Sequence, residues 1–398
     1  MPFMLLVLPA TVLAALVAAV TPSPATLPFQ NPDLPAEERI TDLISRLTLE
    51  EKIDCMAGRA SVPRLGVVGS PHIEGYHGVA QGGPSNWGRR NPTATTQFPQ
   101  AYGLGATWDP DLVRKVAAQE AQEARYLFQS PKYQRADLIV RAPNADIARD
   151  PRWGRIIEGA GEDPFLGSAV AAAQVRGLQG DAIGTPERVI AGPKHFAGYG
   201  AAIGGRDYDE VNLSDAELWN VYFPPFVAAL QAGAGNVMTA YMDLNGIPAT
   251  GNRWLYTDDL RGTFGFRGFV VSDANAVRNL VTHGFAADLT DAGARAVSVG
   301  IDMEMAMSDL PMPICPRRSE RARPPRRPWT PVWRGCWRPS SGWACSTTRT
   351  STRTGLATCS PIPRIGRWPA SPRSDRRCCC ATRATCCRWT RAASDRSR

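Results

Sequence analysis

Four side chains capable of acid–base or hydrogen-bonding chemistry lie at the ends of short apolar segments. The segment GFVVSD ends in Asp273, RVIAGPKHF ends with Lys194 and His195 beside a last Phe, and GNVMTAY ends in Tyr241. A carboxylate at the end of an apolar run has lost much of its hydration, and this costs free energy unless the group is paired or used. A cation, an imidazole, a phenol and a carboxylate directed at one place suit the binding of a polyhydroxyl ligand.

The segments that position these side chains alternate between helix and strand patterns over roughly residues 35–307. WDPDLVRKVAAQEAQEARYLF begins with Asp109 as a helix cap and Pro110 at the first helical position. SDAELWNVYFPPFVAAL begins with the capping box Ser214 to Glu217. Both patterns predict amphipathic helices between the apolar strands.

The predicted strands share an apolar run with polar residues at the C-terminal end: DLIVRAPN, RVIAGPKHF, GNVMTAY, GFVVSD and the weaker AVSVGIDMEM. Strands that alternate with helices imply an α/β fold with a parallel sheet, and several polar strand ends on one rim predict a TIM-like (β/α)8 barrel. A doubly wound open sheet is the alternative. No G-x-G-x-x-G follows a strand, so dinucleotide binding lacks its main support.

The N-terminus has the pattern of an export signal. Its first twenty residues are uncharged and mostly apolar, and TPSPA follows. We therefore predict a signal peptide over residues 1–26, although the usual positive start is missing. A membrane anchor is the alternative, because the run is just long enough to span a bilayer. Either interpretation predicts a secreted or periplasmic protein, with no membrane association beyond the export segment.

The C-terminal segment differs in composition from the rest of the chain. The formal charge of +8 divides into about +17 for residues 311–398, with twenty Arg and no Lys, and about −9 for everything before them. The segment also contains nine of the ten Cys and six of the eleven Trp. It has no C-x-x-C pair and no His, which argues against a metal site or a disulfide module.

Several motifs resemble those of glycoside hydrolase family 3, the retaining exo-β-glycosidases. In family order they are EGYHGVA, TTQFPQAYGLGATWD, RDPRWGRIIEGAGEDPFLG, KHFAGYG, VMTAYMDLNGIPAT and GFVVSDANAV. The resemblance covers roughly residues 37–309 and implies the family's N-terminal barrel over residues 35–309, incomplete at its C-terminal end. It also implies a small-molecule or oligosaccharide substrate, with no metal and no other cofactor.

The resemblance implies roles for seven residues. Asp273 matches the catalytic nucleophile, which attacks the anomeric carbon and forms a covalent glycosyl-enzyme. The residues expected to bind the terminal sugar or to lie near the nucleophile are Glu74, Arg155, Lys194, His195, Met238 and Tyr241. No residue of this chain matches the family's general acid/base.

Two departures from the family pattern bear on specificity. The loop after KHFAGYG reads AAIGGRDYDEV and has no histidine, so cleavage of N-acetylglucosaminides is not expected. Ala274 follows the nucleophile where the family often has an aromatic platform for the next sugar. The sequence therefore does not identify the residues that form the leaving-group subsite.

Our hypothesis for the composition of the C-terminal segment is a shift of the reading frame near residues 308–315. Cys and Trp codons begin with TG, and a shift back by one base turns each into a codon for Leu, Met or Val. CCCATRATCCRWT can then become VLLRNEGDLLPLD, similar to the segment with which family members begin their second domain. We therefore expect residues 310–398 to be out of frame and disordered. The alternative is a basic tail that binds nucleic acid or an anionic surface, but no nucleic-acid partner is expected.

The expected activity is hydrolysis of terminal, non-reducing β-D-glucosyl residues with retention of configuration. A β-xylosidase is the close alternative, because few of the identified residues would contact the carbon-6 hydroxymethyl group that distinguishes the two sugars. A catalytically silent or basic-tailed binding protein is the alternative of another class, because the acid/base domain has no counterpart in the C-terminal segment.

Overall fold

A computed structural model of the chain describes residues 27–57, 60–69, 72–75, 77–80, 93–133 and 138–305. The predicted signal peptide over residues 1–26 and the predicted out-of-frame segment over residues 310–398 lie outside these residues. Within the described ranges, no helix is both long enough and apolar enough to cross a membrane.

The helices of the described residues are short apart from two. Their bounds are α1 Ala36–Arg46, α2 Leu49–Cys55, α3 Ala101–Gly105, α4 Pro110–Gln129, α5 Pro164–Gln179, α6 Asp215–Glu217, α7 Phe223–Gln231, α8 Ala276–Thr282 and α9 Leu289–Val299. Two π-helical segments occupy Leu218–Tyr222 and Trp254–Thr263.

The strands pair mostly in parallel. They are β1 His72–Glu74, β2 Ile139–Arg141, β3 Ile190–Ala191, β4 Asn236–Met238, β5 Asp243–Leu244, β6 Ile247–Pro248 and β7 Phe269–Val271. β1, β2 and β3 form one parallel sheet, β4 and β7 form another, and β5 and β6 form an antiparallel hairpin. Parallel bridges from Phe196 to Thr239 and from Val271 to Met303 extend the order beyond these pairs. The α/β class is thus confirmed, whereas closure into an eight-stranded barrel stays a prediction.

Alternate strand residues pack on opposite sides, as the two-residue period of a strand requires. Val140, Val237 and Val270 belong to an apolar cluster with residues of α4, α5 and α7, which we call the helix-side cluster. Residues one position away belong to a second cluster with α1 and α2, which we call the inner cluster: Ile139, Met238, Phe269 and Val271. Continuing from Phe269 and Val271 by two residues predicts that Asp273 lies on the inner side.

Both predicted helix starts are confirmed. The Asp109 carboxylate accepts a hydrogen bond from the Leu112 N–H at 3.0 Å, and the Ser214 hydroxyl accepts one from the Glu217 N–H at 3.2 Å. The helix that begins after Ser214 continues into the π-helical segment Leu218–Tyr222. This segment directly precedes α7, which contains Pro224 and Pro225. Proline has no N–H to donate to the preceding turn, so the regular α-helical pattern cannot continue through it.

The predicted strand AVSVGIDMEM is wrong in its first half. Its residues 296–299 are the last turn of α9, which is followed by the cap residue Gly300 with φ 106°. Only the later residues run alongside β7, with Met303 paired to Val271. Ala292, Ala296 and Val299 recur on one buried face with helical spacing, and a glycine in the left-handed region ends the helix. These two signals outweigh the apolar composition that favoured a strand.

Candidate active site

Asp273 lies two residues beyond the end of β7, in the tight turn that leads into α8. Its backbone N–H donates to the Thr239 hydroxyl at 3.2 Å, which ties the turn to the end of β4. Its Oδ1 accepts from the Ala274 N–H at 2.6 Å. The residue is 7% exposed, so the carboxylate is buried apart from a small opening. The turn therefore fixes one oxygen and leaves the other available to side chains.

His195 connects Asp273 to a second carboxylate. Its Nε2 lies 3.1 Å from Asp273 Oδ2, and its Nδ1 lies 2.8 Å from Asp146 Oδ2. The imidazole is fully buried, and a guanidinium nitrogen of Arg155 lies 3.0 Å from Nε2. Asp146 also accepts from the His195 backbone N–H. The ring plane and position are thus fixed on both sides before any ligand arrives.

Asp273 is ionised in this environment despite its burial. Burial raises the pKa of the carboxyl, but the hydrogen bond from His195, the charge of Lys194 and the Ala274 N–H together hold it well below its usual range. A carboxylate attacks carbon in its ionised form, and the lowered pKa favours that form at Asp273.

Glu74, at the end of β1, lies between two buried cations. Its Oε1 is 2.9 Å from an Arg141 guanidinium nitrogen, and its Oε2 is 2.7 Å from Lys194 Nζ. Burial raises the pKa of Glu74, but the charges of Lys194 and Arg141 outweigh burial and lower it to about 2. Because all three groups are less than a tenth exposed, this charge cluster is set in place by the fold.

Arg155 is held in place by Glu158. Two of its guanidinium nitrogens lie 2.8 Å and 3.0 Å from the Glu158 carboxylate, which also accepts from Asn144 at 3.0 Å. The guanidinium lies over the Tyr199 ring, 5.4 Å from its centre. A fork of donors is thereby presented beside His195, in a geometry suited to oxygen acceptors.

The structure brings six of the seven predicted residues together, and the seventh, Met238, packs in the inner cluster. The Tyr241 ring is half-buried, and burial, followed by the carboxylate of Asp273, raises the pKa of its phenol. Met238 is 1% exposed and packs in the inner cluster, paired in register with Val271. Its contact with a ligand therefore stays a prediction, whereas its contact with the strand that carries Asp273 is observed.

Sequence reasoning missed Arg141 and Asp146, which fix Glu74 and His195. Arg141 is the last residue of β2, so the polar-strand-end pattern that identified Lys194 would have found it. Asp146 lies in the loop that follows, and the sequence does not mark its contact with an imidazole 49 residues away. Across the described ranges, no group of three or more His, Cys, Asp or Glu is arranged to hold a metal ion.

The chain matches a known family model and several curated proteins. The model for the glycosyl hydrolase family 3 N-terminal domain matches residues 85–314. A periplasmic beta-glucosidase of Salmonella typhimurium is 43% identical over 214 residues, which cover 53% of this chain and 26% of that protein. A beta-xylosidase of Formosa agariphila is 38% identical over 284 residues, covering 70% of this chain and 37% of that protein. The chain thus spans well under half the length of these relatives.

Solved structures give the same likeness. A beta-glucosidase from Listeria innocua in complex with glucose superposes with a TM-score of 0.60 at 32% identity, over 69% of this chain and 42% of that one. An exo-beta-xylosidase in complex with a xylobiose aziridine probe superposes with a TM-score of 0.64 at 26% identity, over 80% and 41%.

Proposed function

The chain belongs to glycosyl hydrolase family 3, and we propose that it contains the nucleophile and the sugar-binding half of a retaining exo-β-glycosidase. Oδ2 of Asp273 attacks the anomeric carbon of a terminal β-D-glucosyl residue. The bond from that carbon to the leaving oxygen breaks, and a covalent glycosyl-enzyme forms that water later releases. The observation that carries this proposal is the buried Asp273 carboxylate, whose Oδ2 lies 3.1 Å from His195 Nε2 and whose Oδ1 accepts from the Ala274 N–H at 2.6 Å.

The buried charge cluster supplies recognition of the terminal sugar. Glu74 accepts from sugar hydroxyls while Arg141 and Lys194 fix its orientation. Charge-assisted hydrogen bonds to a fixed carboxylate are strong and direction-specific. Lys194 and Arg155 donate to the remaining hydroxyls, and His195 adds an imidazole N–H. Preorganisation matters here because the groups need no reordering when the sugar binds.

A β-xylosidase is the second candidate. It is supported by relatives with that name that cover 69% to 73% of this chain at 35% to 38% identity. The two sugars differ by a hydroxymethyl group, and a single such group in a pocket changes discrimination by about 10- to 200-fold. A catalytically silent product remains the proposal of another class if the general acid/base is absent.

Three further features belong to the proposal. The parallel order of β1 to β4, β7 and the Met303 segment supports a (β/α)8 barrel over residues 35–309. The similarity to a protein named as periplasmic supports a location outside the cytoplasm. The partner is a glycoside or oligosaccharide, and no nucleic acid takes part.

Release of dinitrophenolate from aryl glycosides tests the proposal. Dinitrophenolate leaves without protonation, so formation of the glycosyl-enzyme needs no general acid. We expect the full chain to release about one equivalent in a burst from the β-glucoside or the β-xyloside, and Asp273→Asn to lose the burst. Asp111→Asn is the matched control, because that carboxylate lies on α4 with its side chain 83% exposed. A burst of wild-type size from Asp273→Asn would overturn the proposal.

A further inference from the structure

Tyr208 is an exposed aromatic residue in an uncommon backbone conformation. Its φ is 67°, in the left-handed region, and the residue is 53% exposed. A bulky side chain in that region costs free energy, and such a residue persists only where its surroundings impose the conformation. Backbone outliers of this kind are concentrated at ligand-binding sites.

Neighbouring contacts impose this conformation. The carboxylate of Asp207 accepts a hydrogen bond from the Trp153 indole N–H at 3.0 Å, and Trp153 is 1% exposed. The Tyr208 ring packs edge-on against Tyr241, with 4.8 Å between ring centres and 74° between planes. The loop is thus anchored at Asp207, while Tyr208 itself remains 53% exposed.

The aromatic cluster around His195 runs from the interior to the surface. Tyr199 is fully buried 5.2 Å from the imidazole, Tyr241 is half-buried 6.4 Å from it, and Tyr208 is the exposed member beyond Tyr241. His195 itself touches Asp273. Tyr208 therefore lies at the outer rim of the site that contains the nucleophile.

The polar groups proposed to bind the terminal sugar are all deep. Glu74, Lys194 and His195 are 6%, 2% and 0% exposed. A sugar bound by them projects its leaving group outward, toward the rim. Ala274, next to the nucleophile, has only a methyl group to offer there, whereas Tyr208 offers a rigid aromatic face.

We propose that Tyr208 forms the aromatic wall of the leaving-group subsite, against which the ring of the aglycone stacks. The inference rests on the proposed function and names the part of the site that receives a cyclic leaving group. An aromatic face provides large contact area at low entropic cost and accepts apolar ring faces of sugars and arenes alike. The residue is thus a determinant of aglycone preference and takes no part in bond-making.

Two covalent reagents separate this role from a structural one. Both are 2-deoxy-2-fluoro-β-glucosides, one with dinitrophenolate and one with fluoride as the leaving group. In each, an Asp273 oxygen bonds to the anomeric carbon while the leaving group departs with its electron pair, so neither needs a proton donor. Only dinitrophenolate has a ring that can stack on Tyr208. The rate of labelling of the full chain is followed by intact mass.

We expect Tyr208→Ala to lower kinact/KI for the dinitrophenyl reagent about tenfold and to leave that for the fluoride reagent unchanged. Tyr208→Phe keeps the aromatic face and should label like wild type with both. Tyr208→Gly also loses the face but relieves the left-handed φ, so its Tm should not fall. Tyr126→Ala is the matched control, because Tyr126 is an exposed tyrosine on α4 and, within the described residues, has no contact with those of the site.

Each other outcome overturns the inference. Equal losses with both reagents in the Ala and Gly variants would mean that Tyr208 only supports Tyr241. Unchanged labelling by the dinitrophenyl reagent would mean that nothing stacks on Tyr208. If neither reagent labels wild type, the proposed function itself fails and this inference fails with it, which distinguishes the two.

Discussion

Glu74 shows at the residue scale how buried charge both stabilises and orders the site. Replacing it with Gln removes the carboxylate charge that both Arg141 and Lys194 contact, and breaking a buried pair in this way costs about 3–5 kcal/mol. We therefore expect Glu74→Gln to unfold at a clearly lower urea concentration than wild type. Asp150→Asn is the control, because its partner Arg152 is 71% exposed, and the midpoint should barely move. Equal midpoints for the two variants would contradict this account.

The contacts of Glu74 with Arg141 and Lys194 also make the free energy of unfolding depend on pH in acid. The pKa of Glu74 is lowered from 4.5 to about 2 in the folded chain, so the folded state resists a proton that the unfolded state accepts. Its stabilising contribution is therefore complete above about pH 4.5 and is lost as pH falls toward 2.

Glu120 makes stability depend on pH in the opposite direction to Glu74. It lies on α4, fully buried, and a Cβ on Gly75 would come within 1.9 Å of its Oε1, so it packs directly against the residue after Glu74. Burial, reinforced by Glu123, raises its pKa to about 8. The unfolded chain loses this proton near pH 4.5 and the folded chain retains it to about 8, so stability falls as pH rises across that window.

Glu120→Gln removes this dependence. We expect the Tm of the variant minus that of wild type to increase steadily from pH 5 to pH 8, because only wild type has a carboxyl at position 120 that the unfolded chain ionises and the folded chain keeps protonated. Differential scanning calorimetry of both proteins across that range measures it. A difference that stays constant with pH would show that Glu120 does not titrate differently in the folded state.

Much of the site could be predicted at the residue scale, for a definite reason. Strand-end position alone identified Lys194, His195 and Asp273, because one rim collects the ends of parallel strands. Arg141 was open to the same strand-end signal, but its contact with Glu74 and the contact of Asp146 with His195 join residues 67 and 49 positions apart. Only the packing of whole elements reveals such pairs.

At the scale of elements, a close backbone approach aligns two loops of the site. A Cβ on Gly200 would lie 2.2 Å from the carbonyl oxygen of Ile147 and 3.3 Å from the Trp153 ring. The loop after His195 therefore packs on the segment between Asp146 and Arg155 with no room for a methyl group.

Gly200→Ala should separate these loops. We expect at least a tenfold loss of labelling by the fluoride reagent, because the His195–Asp146 contact is disturbed and misplacement by 1 Å is costly to rate. Gly154→Ala is the matched control in the same region, since its added Cβ meets nothing within 4 Å. Normal labelling of Gly200→Ala would show that the loops tolerate the displacement.

Local signals explain which elements could be predicted. The Asp109 and Ser214 caps were found because a cap is a short-range hydrogen bond. The last turn of α9 was mistaken for strand because Ala296, Val297 and Val299 form an apolar run that either a helix or a strand can contain. The π-helical segments have no simple sequence signal. Pro224 and Pro225 mark only the start of α7, directly after the first of these segments ends.

At the scale of the whole molecule, the family domain is followed in sequence by residues 311–398, whose amino-acid composition differs from that of the rest of the chain. The family model ends at residue 314, close to where Arg, Cys and Trp begin to dominate. If residues 310–398 are out of frame, restoring the frame should add the second domain and its general acid, worth about 10²- to 10⁴-fold in rate.

Turnover of cellobiose tests that hypothesis. We expect the frame-restored protein to hydrolyse it, and the chain as written to show little or no turnover, because an alkoxide leaving group requires protonation. DNA sequencing through codons 305–320 determines independently whether the reading frame is shifted there. Full-speed cellobiose turnover by the chain as written would contradict the hypothesis.

Identification of the labelled residue tests the central claim most directly. The full chain is trapped with a 2-deoxy-2-fluoroglucosyl reagent, digested with trypsin and sequenced by mass spectrometry. The account predicts one sugar on the peptide GFVVSDANAVR, residues 268–278, with fragment ions placing it on Asp273. A sugar bound to any other peptide, or to another residue of this one, would contradict it.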